Sequence, residues 1–326
     1  MPRQARLDSQ GALHHIIVRG INKSDIFVDD QDRYLFLQRL GTNITDAKCS
    51  VYAWALMNNH LHLLFKSGER GVSSVMRKQL TWYAMYFNRK YNRSGHLFEN
   101  RYKSILCEED RYLLALVRYI HLNPIRAGII KTIEELDNYP CTGHGVIIGK
   151  SKQAWMDTDY ILFHFGKQLK GSRKAYRKFI EEGFAEDHIL DFSGGGVLPS
   201  HGGWSEVISM RHRGKLLDHD DRILGSSDFV ERTLEDADEN KKWQLKLLGS
   251  KSISDIINEQ SKASGISQAL LRSGSRKRNV SHIRCIIVKE CVDEIGMSFA
   301  DIAKWLNINT SAVRKAYLRD VMAEDE

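Results

Sequence analysis

At 326 residues, 42% hydrophobic and 27% charged, the chain has an ordinary globular composition and length enough for two or three domains with cores of their own. That excludes a disordered chain, and because no apolar run approaches the roughly 20 residues needed to cross a bilayer, it excludes a membrane-spanning one. A formal net charge of +7 favours a polyanionic partner without choosing among nucleic acid, acidic protein and lipid headgroups. The basic residues gather at Arg89-Lys90, Arg93, Arg101 with Lys103, Arg211-His212-Arg213 and Arg276-Lys277-Arg278. Met1–Arg6 has no apolar signal core, and the five scattered cysteines, Cys49, Cys107, Cys141, Cys285 and Cys291, contain no C-x-x-C pair. A reducing compartment, the cytoplasm, is the expected location, without a zinc ribbon.

In chain order, the β-branched stretch Leu13–Gly20 reads as a strand, followed by a loop around Asn22-Lys23 that could hold a ligand. Tyr34, Leu37, Leu40 and Ile44 then recur at helical spacing over Asp30–Thr45, behind Asp29 and Asp30 as caps. Val51–Leu56 and His60–Phe65 read as an antiparallel hairpin about the turn Met57-Asn58-Asn59. Gly71–Tyr91 reads as a long helix with Val72, Val75, Met76, Leu80, Tyr83 and Phe87 inward and Arg77, Lys78, Arg89 and Lys90 on its other face. His96–Leu106 is expected as a fourth strand on which Arg101 and Lys103 share a face. Glu109–Leu122 is a helix that Pro124 should stop, with Gly128 in the turn after it. This order predicts an α+β domain over residues 1–140, an antiparallel sheet with helices covering one face. The histidines His60 and His62 would then sit on the other, open face or at its junction with the last helix.

Residues 141–249 form a middle region with no recognisable motif, although Trp155, Trp204 and Trp243 lie in it. Trp155–Glu182 reads as helical, and Ser193-Gly194-Gly195-Gly196 and His201-Gly202-Gly203 as breaks. A triple glycine can cradle phosphate, but no strand and helix at P-loop spacing frame this one, so linker is the simpler reading. Residues 250–326 are a separate, mostly helical unit: Ser254–Ser264, a basic turn at Arg276-Lys277-Arg278, an apolar helix Ser281–Ile295, then Phe299–Leu306. Ser298 caps that helix and Thr310 or Ser311 the next across a tight polar turn, the pattern of a helix-turn-helix. Its second helix would expose Ser311, Arg314, Lys315 and Arg319, residue types suited to bases and phosphates. Glu324-Asp325-Glu326 is a solvated tail.

The chemistry concentrates in two short stretches. A strand repeats every two residues, so His60 and His62 project from one face while Leu61 and Leu63 point into a core. A helix places residues four apart on one face, so Tyr119 and Asn123 stand one above the other. If that helix crosses the histidine face, two imidazoles and a carboxamide oxygen can hold a divalent ion, beside which a phenol can lose its proton and attack an electrophile. Each element alone is weak: paired histidines are commonly a solvated face, Tyr119 fits a half-buried helix position, and Asn123 before a proline fits a helix terminator.

Jointly, three stretches carry a resemblance: Met57-Asn58-Asn59-His60-Leu61-His62-Leu63-Leu64-Phe65, the run Gly95–Ser104, and Tyr119-Ile120-His121-Leu122-Asn123-Pro124 with Ile125–Gly128 after it. From about Leu13 to Pro140 the chain resembles the single-tyrosine HUH transposases of the IS200-like superfamily, in particular the branch called REP-associated tyrosine transposases. The C-terminal part, with Arg276–Val280 and the helix-turn-helix after it, is similar to the duplex-binding domain of the bacterial replication initiator DnaA.

The resemblance implies a ferredoxin-like or RRM-like sandwich, His60, His62 and Asn123 as ligands of Mg²⁺ or Mn²⁺, and Tyr119 as the nucleophile. It implies attack on single-stranded hairpin DNA, leaving a 5′-phosphotyrosine link and a free 3′-OH. Arg77, Lys78, Arg101 and Lys103 would hold phosphates, Asn22 and Lys23 would help read an unpaired base, and Arg19 would also contact DNA. Arg276, Lys277, Arg278, Ser311, Arg314 and Lys315 would meet duplex DNA. The protein would act as a monomer or homodimer, with no membrane partner. Two other readings compete: a domesticated regulator that grips repeated palindromes without cutting, and an RRM-like RNA binder, the latter weakened by the lack of an RNP aromatic signature.

Overall fold

A computed structural model describes residues 7–185, 222–235, 252–293 and 295–323. The chain forms two compact units, one of residues 1–79 and 87–238, the other of residues 80–86 and 239–326. The triple glycine at 194–196, the glycines at 202–203, Trp204, Arg211–Arg213, Trp243, Met1–Arg6 and the acidic tail at 324–326 lie outside the described residues.

The first unit is built on β1 (Leu13–Arg19), α1 (Asp30–Asp46), β2 (Ser50–Leu56), β3 (His60–Lys66), α2 (Gly71–Lys90, except its residues 80–86), β4 (Lys103–Cys107) and α3 (Glu109–Arg126). The strands line up as β2-β3-β1-β4, each antiparallel to its neighbours, and β5 (Ile223–Leu224) adds in parallel beside β4. This is the α+β sandwich order read from the sequence. Asp29 starts α1 with a reciprocal cap, accepting from the Asp32 backbone while Asp32 accepts in return.

Register decides which side chains meet. Ile17 pairs with His62 and with Lys103, and Arg19 with His60, so all five occupy one face. Ala53 and Ala55 of β2 stand on that face too, opposite Leu64 and His62, after a bulge at Tyr52 corrects the phase. Their small side chains let α3 lie close against β2 and β3. The opposite face carries Ile16, Leu61, Leu63 and Phe65, buried under α1 and α2. Those two helices are joined by a buried bond in which Asn43 Nδ2 donates to Gln79 Oε1 at 2.9 Å, while Gln79 Nε2 donates to the Phe36 carbonyl at 2.9 Å. Helices therefore cover both faces, and the histidines lie at the junction with the last helix.

Three expectations for the first unit need correction. The fourth strand begins at Lys103, because residues 97–99 turn instead to the end of β1: Ile21 N donates to the Leu97 carbonyl at 2.9 Å and Glu99 N to the Arg19 carbonyl at 3.0 Å. Arg101 thus sits in a bend. Pro124 lies inside α3 and does not stop it. A proline forfeits its own N–H bond and crowds the carbonyl four residues back, yet the helix recovers beyond it through Ala127 N on the Asn123 carbonyl at 2.8 Å before Gly128, at φ 70°, ends it. The expected helix over 155–182 is two, α6 (Thr158–Phe163) and α7 (Leu169–Ala185), parted at Gly166 with φ 138°.

The region 141–185 belongs with the sheet. The Leu56 amide donates to the Cys141 carbonyl at 2.9 Å, Gly143 N to the Trp54 carbonyl at 2.9 Å and Asp157 N to the Val51 carbonyl at 3.0 Å. The exposed edge of β2 is thereby covered. Between these contacts lie α4 (Ile133–Asn138) and α5 (His144–Ile147), and α7 packs on the outer side of α3.

The second unit contains α8 (Ile253–Ser264), α9 (Gln268–Leu271), α10 (Arg278–Asp293), α11 (Phe299–Leu306) and α12 (Thr310–Ala323). Ser252 and Ser298 cap α8 and α11, whereas α12 is capped by Asn309, whose Oδ1 accepts from Ala312 N at 2.7 Å, and not by Thr310 or Ser311. Tyr317 locks α12 onto α10, its hydroxyl donating to Asp293 Oδ1 at 3.0 Å. Among the described residues no helix is long and apolar enough to cross a membrane.

Gly41 on α1 is where packing outweighs propensity. A Cβ there would stand 2.3 Å from the Trp155 ring, which itself lies against Trp54 with ring centres 6.0 Å apart. Alanine would gain at most about 1 kcal/mol of helix propensity, against about 1–3 kcal/mol for overpacking. Gly41→Ala should therefore lower the denaturation midpoint, while Gly171→Ala on α7, whose Cβ meets nothing nearer than 4.0 Å, should raise it.

Candidate functional site

The histidine pair is held at its ring nitrogens. His60 and His62 stand with ring centres 5.2 Å apart and planes at 82°. His60 Nδ1 lies 2.6 Å from Asn59 Oδ1, and since a carboxamide oxygen only accepts, that nitrogen carries the proton and Nε2 keeps its lone pair. Asn59 also donates Nδ2 to the Lys23 carbonyl at 3.1 Å, tying His60 to the turn that bears Asn22 and Lys23. His62 Nδ1 lies 2.9 Å from Nε2 of His15, a buried residue of β1 on the same sheet face. Burial, with Arg19 nearby, pushes His60 down to about 4, and burial followed by His15, His60 and Arg19 holds His62 well below its ordinary value. Both rings are neutral at physiological pH, the form that binds metals.

Tyr119 comes to this pair edge-on. Its ring centre lies 5.8 Å from that of His62 and 5.9 Å from that of His15. Two turns along α3, the Arg126 guanidinium stands 5.4 Å from the Tyr119 ring centre. Burial lowers the Arg126 pKa while attraction to Tyr119 works the other way. Asn123, one turn beyond Tyr119, donates Nδ2 to the Tyr119 carbonyl at 2.9 Å, so Oδ1 is the atom it can offer to a ligand.

The donor set suits a divalent ion. Two imidazoles bound to one ion at about 2.1 Å hold their ring centres roughly 4.5–5 Å apart, close to the separation of His60 and His62. Each has a partner on Nδ1, and a partner that accepts there leaves Nε2 free for a ligand. Among the described residues no group of three or more His, Cys, Asp and Glu could hold a metal ion. The Asn123 carboxamide lies on α3, the helix that meets the pair.

The basic residues divide by location. Arg19 and Lys103 are exposed on the histidine face, and Asn22 and Lys23 are exposed in a short turn at φ 52° and 59° that leaves β1. Arg101 is exposed in the bend before β4. Arg77 and Lys78 are half-buried on α2, which packs on the opposite side of the sheet. In the second unit Arg276 and Lys277 are exposed in the turn before α10, Arg278 opens that helix, and Ser311, Arg314, Lys315 and Arg319 are exposed along α12. Arg284 holds that basic turn in shape. Buried inside α10, it donates Nε to the Leu271 carbonyl at 2.8 Å, Nη1 to that of Ser275 at 2.6 Å, and Nη2 to those of Leu270 and Ser273.

Sequence reasoning passed over His15, Asn59, Arg126 and Arg284. His15 carried a signal in its parity with Ile17, but the register that sets it beside His62 is not visible in one strand alone.

Residues 9–123 match the family model described as IS200-like transposase. The matched segment runs from ahead of β1 to Asn123, so it holds His60, His62, Tyr119 and Asn123 and stops before α4. No curated protein matches the chain. A solved structure described as a REP-associated tyrosine transposase bound to a REP hairpin is similar at 18% identity, covering 48% of this chain and 93% of that one, with a TM-score of 0.38. A likeness that distant carries no argument.

Behind the site, α3 is pinned by a buried polar chain. His121 Nδ1 meets the Tyr176 hydroxyl at 2.7 Å, which also lies 3.3 Å from His144 Nδ1, and His144 Nε2 meets Asp137 Oδ1 at 2.9 Å. Burial, then the neighbouring His144, holds His121 well below its ordinary value. The unfolded chain accepts a proton at this residue below about pH 6.5 and the folded chain does not. Stability is therefore full above that pH and falls on acidification by up to about 1.4 kcal/mol per pH unit for each such histidine. Thermal midpoints should drop from pH 7 to pH 5, and His121→Gln should start lower at pH 7 but fall less steeply. An unchanged slope would count against this account.

Proposed function

We propose that the chain is a transposase-type DNA endonuclease and strand transferase whose catalytic part spans residues 1–140. One observation carries the reading: in the segment that matches IS200-like transposases, the Tyr119 ring stands 5.8 Å from that of His62, beside two neutral imidazoles with their Nδ1 atoms already engaged. The residues that would hold an ion are His60 and His62 through Nε2 and Asn123 through Oδ1. When bound, Mg²⁺ or Mn²⁺ supplies Lewis acidity at a non-bridging phosphate oxygen.

The chain's own groups do the rest. The Tyr119 oxygen attacks the phosphorus of a single-stranded DNA phosphodiester, and the bond from phosphorus to the 3′ oxygen breaks. The proton lost by the phenol is balanced by the one gained at the departing 3′ oxygen. Arg126, 5.4 Å from the ring, offsets the negative charge on the attacking oxygen. The 5′-phosphotyrosine keeps the energy of the phosphodiester, so a 3′-OH from the same or another strand reverses the step and joins DNA without ATP. Arg19 and Lys103 attract the backbone to this face, and Asn22 and Lys23 stand at its rim for an unpaired base of a hairpin.

Residues 250–326 supply sequence-specific duplex binding in this reading, with α12 as the recognition helix and Arg276–Arg278 as a phosphate clamp. The exposed Ser311, Arg314 and Lys315 on one helix favour it.

The test is a covalent adduct. Wild-type protein incubated with end-labelled hairpin DNA and Mn²⁺ should give a denaturation-resistant protein–DNA band. Tyr119→Phe should give none while still binding the hairpin. Undiminished cleavage by Tyr119→Phe would remove that residue from its role, and tight binding by the wild type with no adduct would favour a non-cutting regulator. Separately, Arg314→Ala and Lys315→Ala should weaken duplex binding, each lowering the slope of log affinity against log salt by about 1 if it meets a phosphate.

A further inference from the structure

We infer that His15 is a positioning residue of this site: through a buried hydrogen bond it fixes His62 in the tautomer and ring plane that turn Nε2 of His62 toward the ligand. The inference deepens the proposed function and rests on its reading of His62 as a ligand.

His15 is fully buried, and its Nε2 lies 2.9 Å from Nδ1 of His62. The two rings are nearly parallel, 21° apart with centres at 5.1 Å, and Tyr119 meets both of them edge-on. A hydrogen bond between two neutral imidazoles has one donor and one acceptor. If His62 keeps a lone pair on Nε2, its Nδ1 bears the proton and donates it to His15 Nε2, which obliges His15 to carry its own proton on Nδ1. The opposite tautomer would place a proton on His62 Nε2 and block any ligand there. The strand holds the His15 ring in place for this contact. β1 is paired on both sides, His15 opposite Leu64 of β3 and Ile105 of β4, so its backbone has no freedom to drift. His60 has its own partner in Asn59, so the two ligand candidates are oriented by independent groups.

Residues that orient a metal-bound histidine typically change affinity by about 10–100-fold when removed. The test uses the full chain with His15→Leu, similar in bulk but unable to accept, and His15→Gln, whose side-chain oxygen can replace the lost acceptor. Mn²⁺ affinity is read from the free-ion electron paramagnetic resonance signal, and the His62 tautomer from imidazole nitrogen NMR without metal. In the wild type His62 should carry its proton on Nδ1. His15→Leu should mix the tautomers and weaken Mn²⁺ binding about 10–100-fold, and His15→Gln should restore most of both. Wild-type His62 protonated on Nε2 overturns the inference even if the variants fail to fold. So does His15→Leu with wild-type tautomer and Mn²⁺ affinity. A wild type that binds no Mn²⁺ under conditions where the tautomer is as expected sinks the metal reading alone, since the spectrum still judges the link between His15 and His62.

Discussion

The site depends on how closely α3 can lie across the face of the sheet that carries the histidines. Ala53 and Ala55 on β2 leave room where a larger side chain would hold the helix away, and the bulge at Tyr52 brings both alanines to that face. The distance from Tyr119 to His62 is set by that approach. On the far side of α3, Tyr176 bonds His121 at 2.7 Å, and the Arg118 guanidinium lies over Phe179, 4.7 Å from the ring centre. Gly183 of α7 abuts Arg118 so tightly that a Cβ would come within 2.2 Å of its side chain. The helix is thus gripped between a sheet with small residues and a second layer of helices, which is how a nucleophile candidate on a helix can keep its place against ligand candidates on a strand.

Electrostatics follow from that closure. Burying imidazoles disfavours their charged form, and the exposed Arg19 beside them adds to the effect, so the pair stays neutral where a solvated pair would be partly protonated. Neutrality costs hydrogen bonds, because a buried ring N–H without a partner is expensive. Asn59 and His15 stand at Nδ1 of His60 and His62, and the Asn59 oxygen, which can only accept, leaves Nε2 of His60 available. Stability and chemistry are therefore served by the same two bonds. Arg126 completes the balance from the helix side with a positive charge near the phenol ring.

The second unit uses one buried arginine in a comparable way. Arg284 lies inside α10 with its guanidinium directed at the carbonyls of the preceding turn, satisfying backbone acceptors that would otherwise be orphaned by burial. The turn it shapes carries Arg276 and Lys277 outward, while Val313 and Tyr317 anchor α12 so that Arg314 and Lys315 stay exposed. Position along the helix separates the roles, with a three- and four-residue spacing within the buried and within the exposed set.

Periodicity was enough to read the strand pair His60 and His62, the helix bearing Tyr119 and Asn123, the α+β order of the first 126 residues and the Ser298-capped helix near the end of the chain, because those patterns are local. Where a local signal met a tertiary one, the tertiary one won. Pro124 did not end α3, since packing on both sides held the helix through one missing N–H, and residues 97–99 bond to the end of β1 apart from the regular pairing of β4, which starts at Lys103. The sequence could name two histidines two residues apart but not His15, which lies 47 residues from its partner His62 and reaches it only through the register of β1 on β3. It could not place residues 141–185 either, whose wrapping of the β2 edge and support of α3 depend on contacts between distant segments. Local spacing decides what a residue can face. Only the packed chain decides what it meets, because strand register and helix approach are set by side chains far away in sequence.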